Sequence, residues 1–407
     1  MPIKQAKRMD KIKECTFECG LPKSPRMSRM GTETAFDMLV KARALENQGK
    51  HIIHLEIGEP DFDTPQNIKD ECKKAIDQGY THYGPAQGMP ELREVIAKKA
   101  SEFRNLNFKP EQVVVTPGGK PIMSYSIMAL VDDGDEVVYV NPGYPIYESM
   151  INFIGGKPVP LPLLEENKFM PDLNYLKKTI NNKTRMLIIN SPHNPCGVVF
   201  DEKYLKQMVE IIEPYENLWV LSDEIYSRIT YGAKFETIAK FPSVRERVII
   251  LDGYSKIYAM TGWRAGYGIM HPELAQALSR VATNMTSHTT TFVQRACIEA
   301  IAGPQTAPDN MVKEFYRRRD VIVNELNTIP GFNCHKPDGA FYVFVNIRKT
   351  GYNCKELADK ILHEAGVACL SGTCFGSYGE GYLRFSYANS IENIREAIRR
   401  IKKLLEK

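Results

Sequence analysis

The chain contains no apolar run approaching the roughly 18 residues that cross a bilayer, and its N-terminus lacks the apolar core of a secretory signal. Both absences make the cytoplasm the expected compartment and argue against a membrane partner. An excess of one charge is also missing. The 53 Lys and Arg against 49 Asp and Glu leave only +4, which gives no electrostatic case for nucleic acid. The nine cysteines are odd in number and scattered rather than spaced as a disulfide framework, and free thiols suit a reducing compartment. Cys15 and Cys19 in "ECTFECG" have no second pair at ligand spacing, so no metal site is expected. Internal repeats and low-complexity segments are absent too.

What is present is ordinary for a globular protein: 43% hydrophobic and 25% charged residues in 407, which argues against disorder or a fibre. That length exceeds one compact core, so two domains, or one large α/β domain with an appended lobe, are expected. Residues 1–27 read as an arm. Lys4, Lys7, Arg8, Lys11, Lys13, Lys23 and Arg26 face only Asp10, Glu14 and Glu18 there, with too little apolar content for a core. Those acids also count against a transit peptide.

From Thr34 to Gln48, Ala35, Met38, Leu39, Ala42 and Leu45 recur at helical spacing, and Asn47-Gln48-Gly49 stops the run. "QVVVTPGGK" reads as a buried strand closed by a glycine turn, with Pro121 opening the helix after it. "EVVYV", "KPVPL", "RMLIIN", "LWVLSD" and "RVIILDG" repeat the pattern. Strands alternating with helices predict an α/β fold, a mostly parallel central sheet covered by helices. Beyond Gly303 come a basic helix, "GAFYVFVNI", a helix around Leu357 to Ala365, "YLRFSYA" and an amphipathic helix from Ile391 to Leu405. That order suits a smaller α+β domain. The expected boundaries are 28–58 for the N-terminal part of the small domain, 59–300 for the large domain and 301–407 for the C-terminal small domain.

In such sheets ligands sit beyond the carboxyl ends of the strands. Gly118-Gly119-Lys120, Asn141 to Tyr144, Asn190 to Gly197, Asp223 to Tyr226 and Ser255-Lys256 occupy those places. Lys256 follows the apolar run Val248-Ile249-Ile250-Leu251 and precedes Gly-Trp-Arg-Ala-Gly, surroundings unlike a solvated face. A buried amine is costly and usually has a use. Residue type alone leaves Asp223 readable as a helix N-cap, Asn194-Pro195 as a turn, Tyr226 as a core aromatic and Arg384 as an edge-strand arginine.

"GEPDFDTP", "YGPAQGMPELR", "TPGGK", "NSPHNPCG", "SDEIY", "SKIYAMTGWRAGYG", "PDGAFY" and "LRFSYA" stand in this order from about Ser28 to the C-terminus. With them the chain resembles the class I, fold-type-I pyridoxal-phosphate aminotransferases, the group that includes aspartate aminotransferase. The resemblance implies pyridoxal 5′-phosphate as cofactor and no metal. It makes Lys256 the Schiff-base lysine, which must present a neutral amine and then shuttle a proton. Asp223 would keep the pyridine nitrogen protonated, and Asn194 and Tyr226 would donate to the phenolic oxygen. Lys256, Asp223 and Tyr226 form the implied catalytic set.

For the phosphate, the resemblance supplies Gly119 and Lys120 at a helix N-terminus, Ser255, and Arg264 eight residues beyond the lysine. Tyr83 would reach that phosphate from a second subunit, which implies a homodimer with shared sites. Tyr144 would stack on the ring where relatives often carry tryptophan. Arg384 would grip the substrate α-carboxylate bidentately, with Asn194 and a Gly58 backbone contact beside it. Lys120 also matches a position that pairs with the distal carboxylate of aspartate or glutamate. Thr32 and Thr34 are expected near the same pocket, and Phe36, Tyr144 and Phe341 are candidate walls for aromatic substrates. Cys196 departs from the threonine common in the family's asparagine loop, and His193 is assigned no role.

The implied activity is transfer of an amino group from an L-amino acid to a 2-oxo acid in two half-reactions. The same fold and cofactor also serve C–S β-lyases, distinguishable by release of pyruvate and ammonia without an acceptor. A non-enzymatic sensor domain is the remote alternative, and the segment before Ser28 is too short for the helix-turn-helix module such sensors carry.

Overall fold

The computed structural model describes residues 15–16, 22–32 and 34–406. Residues 1–14 and 17–21, which hold most of the expected arm and Cys19, lie outside the described residues. Seven strands make the central sheet: β1 (Val113–Thr116), β2 (Glu136–Asn141), β3 (Lys157–Pro162), β4 (Thr184–Asn190), β5 (Trp219–Asp223), β6 (Val248–Gly253) and β7 (Gly266–Ile269). Their order across the sheet is β1-β7-β6-β5-β4-β2-β3. Pairing is parallel from β6 to β3, while β7 runs against both of its neighbours. Val113 and Val115 enter one buried cluster and Val114 the other. The sheet therefore divides two cores, which is why its strands read as unbroken apolar runs.

Sequence pattern misses β7, because "GYGI" offers two glycines and no β-branched run. Those glycines serve the neighbouring turn. A Cβ on Gly266 would stand 2.6 Å from the backbone of Gly118 and Gly119, so only a bare backbone lets the glycine turn after β1 lie against this strand.

A second sheet of β8 (Asn333–Cys334), β9 (Tyr342–Asn346), β10 (Leu370–Ser371) and β11 (Tyr382–Ser386) is antiparallel in the order β8-β9-β11-β10. Helix α1 (Thr34–Glu46) buries Ala35, Met38, Ala42 and Leu45. Beyond it, Ile53–His54 pairs in parallel with Val367–Ala368, so the N-terminal segment joins the C-terminal part of the chain. Helix α2 (Pro90–Arg104) ends beneath the central sheet, and α3 (Lys120–Leu130) begins at the turn after β1. The expected basic helix is α4 (Thr306–Leu326). Two of its arginines are buried rather than solvated, and Arg318 pairs with Asp61 and Glu314. The C-terminal helix α5 (Ile391–Leu405) buries Ile391, Ile394, Ala397, Ile398, Ile401 and Leu404 at helical spacing. Glu165, just past β3, accepts from Asn333, His335, Asn346 and Tyr382 and so ties the two sheets together. Among the described residues, no helix is long and apolar enough to cross a membrane, and no cluster of His, Cys, Asp or Glu could hold a metal.

Beneath the carboxyl ends of β5 and β6, Arg104 donates from Nε to Glu224 and from Nη2 to Asp252, both at 2.7 Å. Thr237 and Ser222 donate to the other Glu224 oxygen. Removing the guanidinium would leave two buried carboxylates unpaired. Arg104→Leu is expected to cost about 3–5 kcal/mol of stability, read as a lower urea midpoint, whereas Arg399→Leu at an exposed pair should barely move it. Equal shifts for the two variants would contradict this account.

Candidate active site

The carboxyl ends of the central strands open on a cavity of about 580 Å³. Of the residues expected to hold cofactor or substrate, Gly58, Gly119, Lys120, Tyr144, Asn194, Asp223, Tyr226, Ser255, Lys256, Arg264 and Arg384 line it, and Tyr83 does not. Lys256 sits in the turn after β6, half-buried, with Nζ donating to the Gly58 carbonyl at 2.6 Å. The same Nζ lies 5.9 Å from the centre of the Tyr226 ring.

Asp223 ends β5 and is 8% exposed. The turn after it is not a helix, so it is no N-cap. Its Oδ2 accepts from the Tyr147 hydroxyl at 2.5 Å and its Oδ1 from the Ile225 amide at 3.2 Å. Burial outweighs both bonds and pushes its pKa up to about 6. The Tyr226 hydroxyl is 2.7 Å from that of Tyr342. Burial first, then Tyr342, raise the Tyr226 pKa well above its ordinary value, so the phenol stays a donor at neutral pH.

Two guanidinium groups face this cavity without a carboxylate in ion-pair range among the described residues. Arg264 donates to the Thr261 carbonyl at 2.7 Å. Gly118, at φ +88°, lies against it: a Cβ there would stand 2.4 Å from Arg264 Nη2. The glycine turn therefore brings the start of α3 and the guanidinium together, a pairing of amide donors and a cation suited to an anion. Arg384, on β11, is 3% exposed. It donates to Asn194 Oδ1 at 3.2 Å and to the Glu56 carbonyl, and its Nε has no partner. A buried arginine with an unused donor at a cavity wall is suited to binding a carboxylate. Asn194 Oδ1 is occupied by Arg384, which leaves the Nδ2 donor for a ligand.

Two expectations, for Phe341 and Thr32, are corrected. Phe341 is not on the wall: it is fully buried behind Lys256 and stacks on Phe315 at 5.0 Å. Phe36 and Tyr144 do line the cavity. Thr32 does not, and the Thr34 side chain lies outside the described residues. Tyr83 is 91% exposed and rests edge-on against His288 at 5.5 Å, away from the cavity of its own chain. His193 is fully buried and accepts the Cys196 amide, and burial lowers its pKa to about 3, so it stays neutral. The Cys196 thiol is held protonated by burial. Sequence reasoning misses Tyr147 and Tyr342. The only trace of Tyr147 is its place three residues after Tyr144 in "NPGYPIY", and Tyr342 closes "PDGAFY".

Residues 50–401 match the family described as aminotransferase class I and II. The chain belongs to that family. The aspartate aminotransferase of Pyrococcus horikoshii is 40% identical over 358 residues, 87% of this chain and 91% of that protein. A probable aspartate/prephenate aminotransferase of Aquifex aeolicus is 39% identical over 389 residues, 94% of this chain and 98% of that protein. The crystal structure of the aspartate aminotransferase from Rhizobium meliloti superposes with a TM-score of 0.91 at 32% identity, over 95% of this chain and 99% of that one. An aminotransferase must hold an amino acid beside a group that accepts its nitrogen, and this cavity offers two guanidinium groups, a lysine and a buried carboxylate.

Because its pKa is raised from 3.8 to about 6 by folding, Asp223 favours the folded state when protonated. That contribution is present below about pH 4 and is lost as pH rises through about 6. In the ligand-free aminotransferase, Asp223→Asn should therefore melt at a higher temperature than wild type near pH 8, with the gap closing toward pH 4. A variant no more stable than wild type near pH 8 would refute the sign.

Proposed function

We propose that this aminotransferase uses pyridoxal 5′-phosphate and moves the amino group of an acidic L-amino acid to a 2-oxo acid, as a homodimer with shared sites in the cytoplasm. The observation that carries the reading is the pair of arginines, Arg264 and Arg384, lining one cavity with Lys256 and Asp223. A phosphate and a substrate carboxylate need such a pair. The glycine cradle beside Arg264, which a Cβ would fill, and the unused Arg384 Nε fit the two anions.

When bound, the cofactor supplies an aldehyde and an electron-withdrawing ring. The protein's part is binding, orientation and proton movement. Gly119 and Lys120 offer backbone amides, Ser255 a hydroxyl and Arg264 a cation to the phosphate, with Tyr83 of a second copy completing that shell. Tyr144 would cover the ring face. Asp223, fixed by Tyr147, would hold a proton on the ring nitrogen. Asn194 Nδ2 and the Tyr226 hydroxyl donate to the phenolic oxygen. Arg384 grips the α-carboxylate with Asn194 and the Gly58 backbone beside it. Lys256 Nζ, oriented by Gly58, takes the proton from the substrate Cα and returns one. Residues 59–300 would form the cofactor-binding domain, with 28–58 and 301–407 forming the small domain.

Lys120 at the cavity, together with the names of the relatives, favours aspartate or glutamate as donor. The wild-type enzyme is expected to produce oxaloacetate from L-aspartate and 2-oxoglutarate, and Lys256→Ala to lose at least about 10²-fold in turnover. Lys120→Ala should raise KM for L-aspartate roughly 10-fold or more while leaving KM for L-tyrosine near wild type. Pyruvate and ammonia released from a cysteine conjugate without any 2-oxo acid would instead identify a β-lyase.

A further inference from the structure

We propose that Asn190 is a positioning residue that locks together the two backbone segments carrying Asp223 and Asn194. This rests on the reading of those two side chains as contacts to the cofactor ring. Asn190 is the last residue of β4, 1% exposed, and stands opposite Asp223 in the parallel register with β5. Its Nδ2 donates to the Asp223 carbonyl at 2.9 Å, and its Oδ1 accepts the Asn194 amide at 2.8 Å. One planar carboxamide thus replaces the ladder hydrogen bonds where the strand pairing gives way to the loop.

That loop is otherwise closed mostly on itself. The His193 amide donates to Val198 and the Gly197 amide to His193. The Ser191 amide adds a second bond to the Asp223 carbonyl, but it comes before the loop turns. At Asn194 itself, the backbone tether to the sheet is the Asn190 oxygen. Asn194 in turn receives Arg384 on its own Oδ1. Asn190 therefore sets the separation between the carboxylate under the ring nitrogen, the amide at the phenolic oxygen, and the arginine for the substrate carboxylate. The task needs a donor and an acceptor on one short rigid fork, which Asn supplies. Asp keeps the acceptor only, and Leu keeps neither.

The test uses the full-length protein and two variants. In the cofactor-free form, hydrogen exchange of the segment 191–197 in Asn190→Leu should quicken at least roughly tenfold, while Asn190→Asp, which retains the acceptor, should exchange near the wild-type rate. After loading with pyridoxal 5′-phosphate, the pH at which the visible band titrates should move by about one unit in Asn190→Leu, and KM for L-aspartate should rise roughly tenfold. A merely structural role would lower Tm without moving the titration. Unchanged exchange, titration and KM in a folded Asn190→Leu overturn the inference. If Asn190→Leu does not fold, an exchange rate in Asn190→Asp as fast as in an unstructured peptide overturns it equally. A wild-type protein that shows no visible band with the cofactor, yet shows the exchange difference, would instead count against the reading of the site and leave the tether standing.

Discussion

Three carboxylates are buried side by side at the carboxyl ends of β5 and β6, and one guanidinium pairs with two of them. Arg104 pairs with Glu224 and Asp252 and makes no bond to Asp223. Asp223 is left with neutral donors, the Tyr147 hydroxyl and the Ile225 amide, and no Lys or Arg lies within ion-pair range of it among the described residues. Isolated buried charge is costly, and the protein answers by raising the pKa of this one group rather than by pairing it. An ionised Asp223 at the cavity floor is thus relieved most fully by a cation arriving from the cavity. A protonated ring nitrogen is such a cation.

The rest of the site follows from where strands end. Parallel strands deliver their carboxyl ends to one edge of the sheet, so residues far apart in sequence meet there without any long-range design beyond strand order. The antiparallel β7 adds the exception that the site requires. By running back between β1 and β6 it brings Arg264 against the turn at Gly118, and its own glycines make the space. The second sheet contributes Arg384 from β11 and Tyr342 from β9, two strands paired directly with each other. The two guanidinium groups of the cavity therefore come from different sheets, linked at Asn194 and at the Gly58 carbonyl.

What could be read in advance was what lies in a run of neighbours. The apolar strands, the glycine turn and the lysine after β6 each announce themselves within ten residues, and the cavity gathers them. The C-terminal helix is legible for the same reason, its period of apolar residues being unbroken. Tyr147, Tyr342 and Arg104 carry no such local signal. Each acts through a partner far away in the chain, and nothing about an isolated Tyr or Arg reveals that partner. Phe341 is the converse case: an aromatic beside a motif reads as a wall, but packing against Phe315 turns it inward. Tyr83 makes no contact with the cavity of its own chain, and its ring is 91% exposed.

The central claim is that the ionised Asp223 is held by a cation on the bound ring. The most direct measurement titrates the cofactor-free protein with pyridoxal 5′-phosphate and with the analogue in which carbon replaces the ring nitrogen, following binding by absorbance near neutral pH. Tighter binding of pyridoxal 5′-phosphate by at least roughly tenfold, about 1.4 kcal/mol, is predicted. That preference should vanish in Asp223→Asn. Equal affinity of the wild-type protein for the two compounds would contradict the account.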